Sequence, residues 1–254
     1  MPEDSLEKLD ASIRSQSMVA ASAEIEILDN LILHINHGTA MLSGTKHDRG
    51  LSLLLGIFLN RAFNSLWRAR EDAVTGYTAE SLTLCRAALE HWTAASWVEL
   101  NPDTTDRWLW AIVEEVDQPE EWPPTTNEML KDLGELGEAP VELYDMLSKY
   151  AHPKGLGLRS LIHFDTESTY FHAGGHFDEG SLKLCLYFLI GVAQACLEPV
   201  ARLQSRMLSE ADPGWLADGL KLSEPAAELL RLTERTAIDA AAKLPDAGAE
   251  NDNG

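Results

Sequence analysis

TLCRAALEHWTAASWVEL, residues Thr83 to Leu100, places two opposite charges inside a mostly apolar helical run. At 100° per residue from Leu82, Arg86 falls at about 40°, among Leu82, Leu89 and Trp97, and Glu90 falls at about 80°. They are the only formal charges between residues 81 and 98. An Arg four residues ahead of a Glu is the weaker orientation for supporting a helix. A buried ion pair also costs several kcal/mol in desolvation, so this one needs hydrogen-bond partners from another element. It is read either as an ion pair that fixes the register of a helical bundle or as part of a ligand or catalytic site.

Outward from this helix the dominant period stays helical. Leu6, Leu9, Ile13, Ala21, Ile25, Leu28 and Ile32 predict one long amphipathic helix from residue 5 to about 36, ended near Gly38. A helix from Leu51 to about Arg70 opens with LSLLLGIFL, apolar all round, which predicts a central place in the bundle. Gly76 and Tyr77 break the pattern, and Thr78 or Ser81 is expected to cap the helix that runs to about Leu100. Asn101-Pro102-Asp103 closes it and starts TTDRWLWAIVEEV. DQPEEWPPTT reads as a loop, and short helices follow over about 126–135 and 140–152.

LRSLIHFD and STYFHAGGHFD depart from the helical pattern and suggest a small β-hairpin or ordered loop near 158–177. From Glu179 to about Glu210 the sequence predicts the most apolar helix, interrupted by Pro199. LSEPAAELLRLTERTAIDAAAK predicts a last amphipathic helix, and 244–254 has the composition of a disordered tail. The expected fold is an all-α bundle of about seven to eight helices in a single domain over 1–243.

Composition narrows the function. The chain has 254 residues, with 20 Lys and Arg against 41 Asp and Glu, so its net charge of -21 repels phosphate backbones and acidic membrane surfaces. Bulk nucleic-acid binding is disfavoured. Cys85, Cys185 and Cys196 sit in apolar runs, and an odd count suits a reducing compartment. The acidic start MPEDSLEKLD does not read as a signal peptide. Leu184 to Leu197 is too short a run to span a bilayer, so a cytoplasmic protein without membrane contact is expected.

A second polar cluster lies in LYDMLSKYAHPKG, residues 143–155. Leu143, Met146, Leu147 and Tyr150 form the apolar stripe of its helix, while Asp145, Ser148 and His152 lie near the border on the other side. Pro153 fixes His152 at the helix end. There the imidazole is either a cation on the helix dipole or a proton-transfer group.

Taken together, TLCRAALEHWTAASWVELNPDTTDRW (83–108) and LYDMLSKYAHP resemble a group of uncharacterised bacterial all-helical proteins. These pair an Arg-x-x-x-Glu helix with a Tyr-x-x-Leu-Ser-x-x-x-His helix end. The likeness covers about 50–205, and the group is in turn similar to the HEPN superfamily. Many HEPN proteins are dimeric, metal-independent ribonucleases of toxin-antitoxin and phage-defence systems, with an Arg, polar residue and His motif at the dimer interface. The resemblance implies that His152 takes the place of the motif histidine and Ser148 that of the polar residue. Leu147 then stands where the arginine falls. Arg86 is expected to reach His152 across the bundle, and the bare spacing of Arg86 with His91 is an unspecific alternative.

Other signals are weaker. His163, His172 and His176, with Asp165 and Asp178, match no metal-ligand spacing, and neither a metal nor a cofactor is expected. His34 and His37 read as dipole partners at a helix end. The seven tryptophans read as core and interface anchors. Two functions follow. The favoured one is a non-catalytic, homodimeric module that binds a protein partner or small ligand near Arg86, Glu90, Tyr144, Ser148 and His152. The alternative is a HEPN-like ribonuclease in which His152 assists attack by a ribose 2′-hydroxyl and Arg86 stabilises the developing charge; RNA is a partner only there.

Overall fold

The structure, a computed structural model, describes residues 6–42, 50–113, 123–151, 162–164, 169–171, 175–208 and 212–241. Nine α-helices lie among the described residues: α1 (Leu6–Ala20), α2 (Ser22–Ala40), α3 (Leu51–Val74), α4 (Thr78–Leu100), α5 (Thr105–Val113), α6 (Thr126–Asp132), α7 (Glu138–Ala151), α8 (Glu179–Met207) and α9 (Pro213–Ala241). An antiparallel pair of three-residue strands, β1 (Ile162–Phe164) and β2 (Thr169–Phe171), aligns Ile162 with Phe171. The fold is thus an all-α bundle with a short hairpin inside the region where a hairpin or ordered loop was expected. One continuous core runs from Ala21 to Ala226. The tail 244–254 lies outside the described residues.

Every residue from Trp92 to Val98 is buried, so α4 has no solvent face along those two turns. It packs on α3, α6, α7 and α8. The Leu51 helix does take a central place, packing on α1, α2, α4, α5 and α8, but it is not apolar all round in the bundle, since α3 leaves Leu53, Asn60 and Trp67 exposed. Its apolar opening spreads beyond the face that the bundle covers. The second enclosed helix is α8, buried continuously from Phe188 to Ala193. By length and hydropathy Glu179–Arg206 would cross a membrane, but 56% of its most apolar window is covered by the bundle. The three thiols are free and buried among these helices, and burial pushes Cys185 and Cys196 up to about 12.

The long first helix is two helices. It breaks at Ala21, whose φ of -141° and ψ of 39° leave the helical region. The break lets α1 turn toward α3 while α2 lies along α8. A charged network holds this arrangement. Arg70, on the buried side of α3, donates through Nε and Nη2 to both Asp29 carboxylate oxygens of α2 at 2.8 and 2.7 Å. Its Nη1 donates to Glu71 at 2.8 Å, and Glu71 also accepts from Arg14 of α1 at 2.8 Å. Burial works against the Arg70 charge, but Asp29 and Glu71 outweigh it and hold the guanidinium above its ordinary value.

Neither Thr78 nor Ser81 caps α4, which begins directly after the turn that ends α3. That turn is a Schellman motif: Gly76 N–H bonds the Ala73 carbonyl at 3.2 Å, and Tyr77 N–H the Asp72 carbonyl at 2.8 Å. Gly76 has φ +83°, and a Cβ there would strike the His176 backbone, so glycine is required twice over. Thr125 and Glu128 form a capping box that starts α6.

The last helix begins nine residues before its expected start, because Asp212 caps it. Asp212 Oδ1 accepts from Trp215 N–H at 2.6 Å, and Pro213 occupies the first helical position, where no N–H is needed. Trp215 then locks α9 onto α2. Its Nε1 donates to the His34 carbonyl at 3.0 Å and its ring stacks on His34 with centroids 4.5 Å apart. Gly38 makes room for it, since a Cβ there would come within 2.6 Å of the indole. The buried Gln204 of α8 closes the joint by donating to the Gly38 carbonyl at 3.2 Å and accepting from Asp212 N–H at 3.3 Å. This overturns the dipole-partner reading of His34: burial lowers its pKa and favours the neutral ring, with Trp215 and Asp218 opposing. His37 stays exposed in the last turn of α2.

Gly38→Ala is expected to destabilise the fold by about 1–3 kcal/mol through overpacking against Trp215, read as a lowered midpoint in urea. The lowered His34 pKa means that the unfolded chain binds a proton more readily than the folded one. Stability from this residue is therefore complete above the ordinary value of 6.5 and declines as pH falls through the folded value. Melting temperatures between pH 7.5 and 5 should fall less steeply in His34→Gln than in the wild type, by about the slope that one proton contributes.

Candidate functional site

The two helices that carry the sequence signals meet. α4 presents Arg86 and Glu90 at the edge of its buried face, and α7 packs against it. Arg86 Nε donates to Glu90 Oε1 at 3.0 Å, and Arg86 Nη2 donates to the Tyr144 hydroxyl at 2.9 Å. Tyr144 in turn donates to Glu90 Oε1 at 3.3 Å, closing a three-residue ring. The guanidinium carbon lies 5.0 Å from the Tyr144 ring centroid, within cation–π range. Tyr144 thus supplies the additional partner from another element that the Arg86–Glu90 pair was expected to need.

The pair is less buried than its helical angle suggested. The side chains are 29% and 36% exposed, because they sit on the open side of the α4–α7 seam. Burial works against the Arg86 charge, while the Tyr144 hydroxyl and Glu90 outweigh it and hold the guanidinium above its ordinary value. Arg86 stays cationic, with its charge compensated by a carboxylate at hydrogen-bond distance. Its Nη1 has no hydrogen-bond partner among the described residues, so one edge of the fork is left for another acceptor.

α7 turns differently from the expected stripe. Tyr144 and Leu147 are its buried centre, while Leu143, Met146 and Tyr150 are half-buried. Ser148 stands one turn after Tyr144, and its Oγ is buried without a hydrogen-bond partner. The hydroxyl therefore faces inward, although Ser148 was placed with Asp145 and His152 near the border of the apolar stripe. Leu147, at the position aligned above with the motif arginine, is fully buried in the core. His152, Pro153, Lys154 and Arg159 lie outside the described residues, as does any contact between His152 and Arg86. His91 does not join Arg86; its Nδ1 meets the Ala87 carbonyl of its own helix.

Among the described residues no group of three His, Cys, Asp or Glu side chains is placed to hold a metal ion. His172 and Asp165 lie outside the described residues, and nothing is described of the His163 side chain.

Sequence reading missed two features. Trp97 Nε1 donates to Asp132 of α6 at 3.1 Å, pinning that short helix to α4. Trp92, read only as a core anchor, has a buried Nε1 with no hydrogen-bond partner. No sequence signal separates it from the other core tryptophans. No family model, curated protein or solved structure matches this chain.

Chemically, the ring is a neutral recognition element. It joins a guanidinium, a carboxylate and a phenol through mutual hydrogen bonds. Tyr144→Phe removes the hydroxyl that joins α7 to both charges and should cost about 1 kcal/mol. A double-mutant cycle with Arg86→Met, followed by urea denaturation, is expected to give a coupling of at least about 0.5 kcal/mol. Additive losses would mean that the ring contributes nothing as a unit.

Proposed function

We propose that this protein is a non-catalytic, HEPN-like helical module that binds a protein partner or a small ligand at the α4–α7 seam. We place it in the cytoplasm, as a homodimer, in a bacterial defence or toxin–antitoxin context. The observation that carries the non-catalytic reading is the compensation of Arg86. Glu90 already matches the Arg86 charge at 3.0 Å, which lowers the stabilisation Arg86 can give to charge developing on a phosphate while leaving its Nη1 for a ground-state acceptor. A net charge of -21 further weakens the phosphate contacts on which RNA affinity depends.

Binding draws on the same geometry. Arg86 offers Nη1 at the seam, and the ring fixes its orientation, so a carbonyl or carboxylate meets a donor whose rotamer is already set. The reading is tested by incubating purified protein with total RNA and with tRNA in EDTA. Intact RNA in the presence of folded wild type is expected. Cleavage that is lost in both His152→Ala and Arg86→Ala would replace this reading with the metal-independent ribonuclease. Sedimentation equilibrium checks the dimer: the apparent mass should rise toward twice the chain mass of 28.0 kDa as concentration increases.

A further inference from the structure

A cleft of about 370 Å³ opens on the other side of the α4–α7 contact, where α8 and α9 complete its walls. Its volume is at the small end of the ~300–1,000 Å³ range of ligand sites. Leu136, Pro140, Leu143, Ala195 and Leu230 make its surface mostly apolar. Trp92 contributes to the wall while only 2% exposed, and its indole N–H has no acceptor. Buried indole N–H groups normally find one, because an unmade hydrogen bond is expensive. Gln194 turns its amide donor away to the Ser223 carbonyl at 3.0 Å, which fixes α9 as a wall.

The charged residues lining the cleft are both acidic, Glu135 and Glu198, and both are exposed. Arg202 approaches Glu198 at 3.4 Å, but the same guanidinium lies closer to Glu99, at 2.9 Å. Glu198 is therefore only loosely compensated. The Trp92 N–H itself is sealed from the cleft, so the lining combines an apolar body with carboxylates open to solvent on a strongly acidic protein.

We propose that this cleft is a binding site for a small organic cation: an apolar body that packs on the aliphatic walls and the Trp92 ring, and an ammonium or guanidinium for Glu135 and Glu198. Anionic ligands, nucleotides included, are disfavoured by the same lining. The site shares helices but no residue with the Arg86 ring and does not depend on the role proposed for it.

The test uses full-length protein with ¹⁵N-labelled tryptophan, in which Trp92→Phe identifies the Trp92 indole resonance. The probe is procaine, an aryl ester with a protonated amine. Benzocaine, the same ester type without the ammonium, and anionic hippurate are the comparisons. Procaine is expected to shift the Trp92 resonance with a Kd below about 1 mM at low salt. Benzocaine should bind about fivefold more weakly and hippurate should not bind. Replacing both Glu135→Gln and Glu198→Gln should weaken procaine about twofold to fivefold, as for partly screened charges. Leu230→Lys, at a half-buried wall position, should abolish the shift while the protein remains folded by circular dichroism. Arg86→Ala should leave it unchanged, so failure here is distinct from failure of the function proposed above. An unmoved Trp92 resonance at about 10 mM procaine, equal binding of benzocaine, or binding of hippurate would overturn the proposal.

Discussion

Trp92 to Val98 are withdrawn from water on every side, so α4 has to be enclosed, and the arrangement of α3, α6, α7 and α8 follows from that requirement. Burying a helix all round yields a large apolar gain. It also obliges each polar atom on that helix to find a partner or remain unsatisfied. Trp97 meets Asp132, Thr93 returns its hydroxyl to the Leu89 carbonyl at 2.8 Å, and Arg86 and Glu90 meet Tyr144 at the edge. Trp92 and Ser96, both inside the enclosed stretch, have no hydrogen-bond partner among the described residues. The candidate ring and the cleft are therefore two outcomes of one constraint, on opposite sides of the α4–α7 contact.

The polar joints of the bundle are of two kinds. Around Arg70, three helices are held by a guanidinium with its carboxylates in a mostly buried position, where removing one partner would leave a charge without compensation. Around Trp215 the joint is neutral and steric: a glycine admits an indole, a histidine stacks on it, and a glutamine ties the ends of three helices. The first resists separation by electrostatics, the second by shape. Both lie at the α1–α3 and α2–α9 end of the structure, leaving the α4–α7 seam to the weaker, half-exposed Arg86 ring.

Helix content, the turns at Gly76 and Asn101 to Asp103, and the pairing of Arg86 with Glu90 were legible in the sequence because they depend on spacing within a few residues. The hairpin region was legible for the same reason, from its β-branched and aromatic residues. What local pattern could not supply was the break at Ala21, where no residue type marks an end and the cause is the divergent packing of α1 and α2. Nor could it tell α4 from α3 as the enclosed helix. Both read as apolar, and which of them keeps an exposed stripe depends on where the neighbours pack rather than on the helix itself.

Composition and spacing were enough for a mostly helical, acidic chain with thiols in apolar runs and a charge pair within an apolar helix. Only the tertiary structure decided that Tyr144 completes that pair, that Ser148 faces inward, that His34 stacks on Trp215, and that Trp92 lines a cleft without a partner for its N–H. The physical reason is one of range. Helical periodicity is set by contacts three and four residues apart, whereas Arg86 and Tyr144 are 58 residues apart and His34 and Trp215 are 181 apart. Such pairs meet only where packed surfaces bring them together, and a side chain's partner, exposure and charge state belong to that packing.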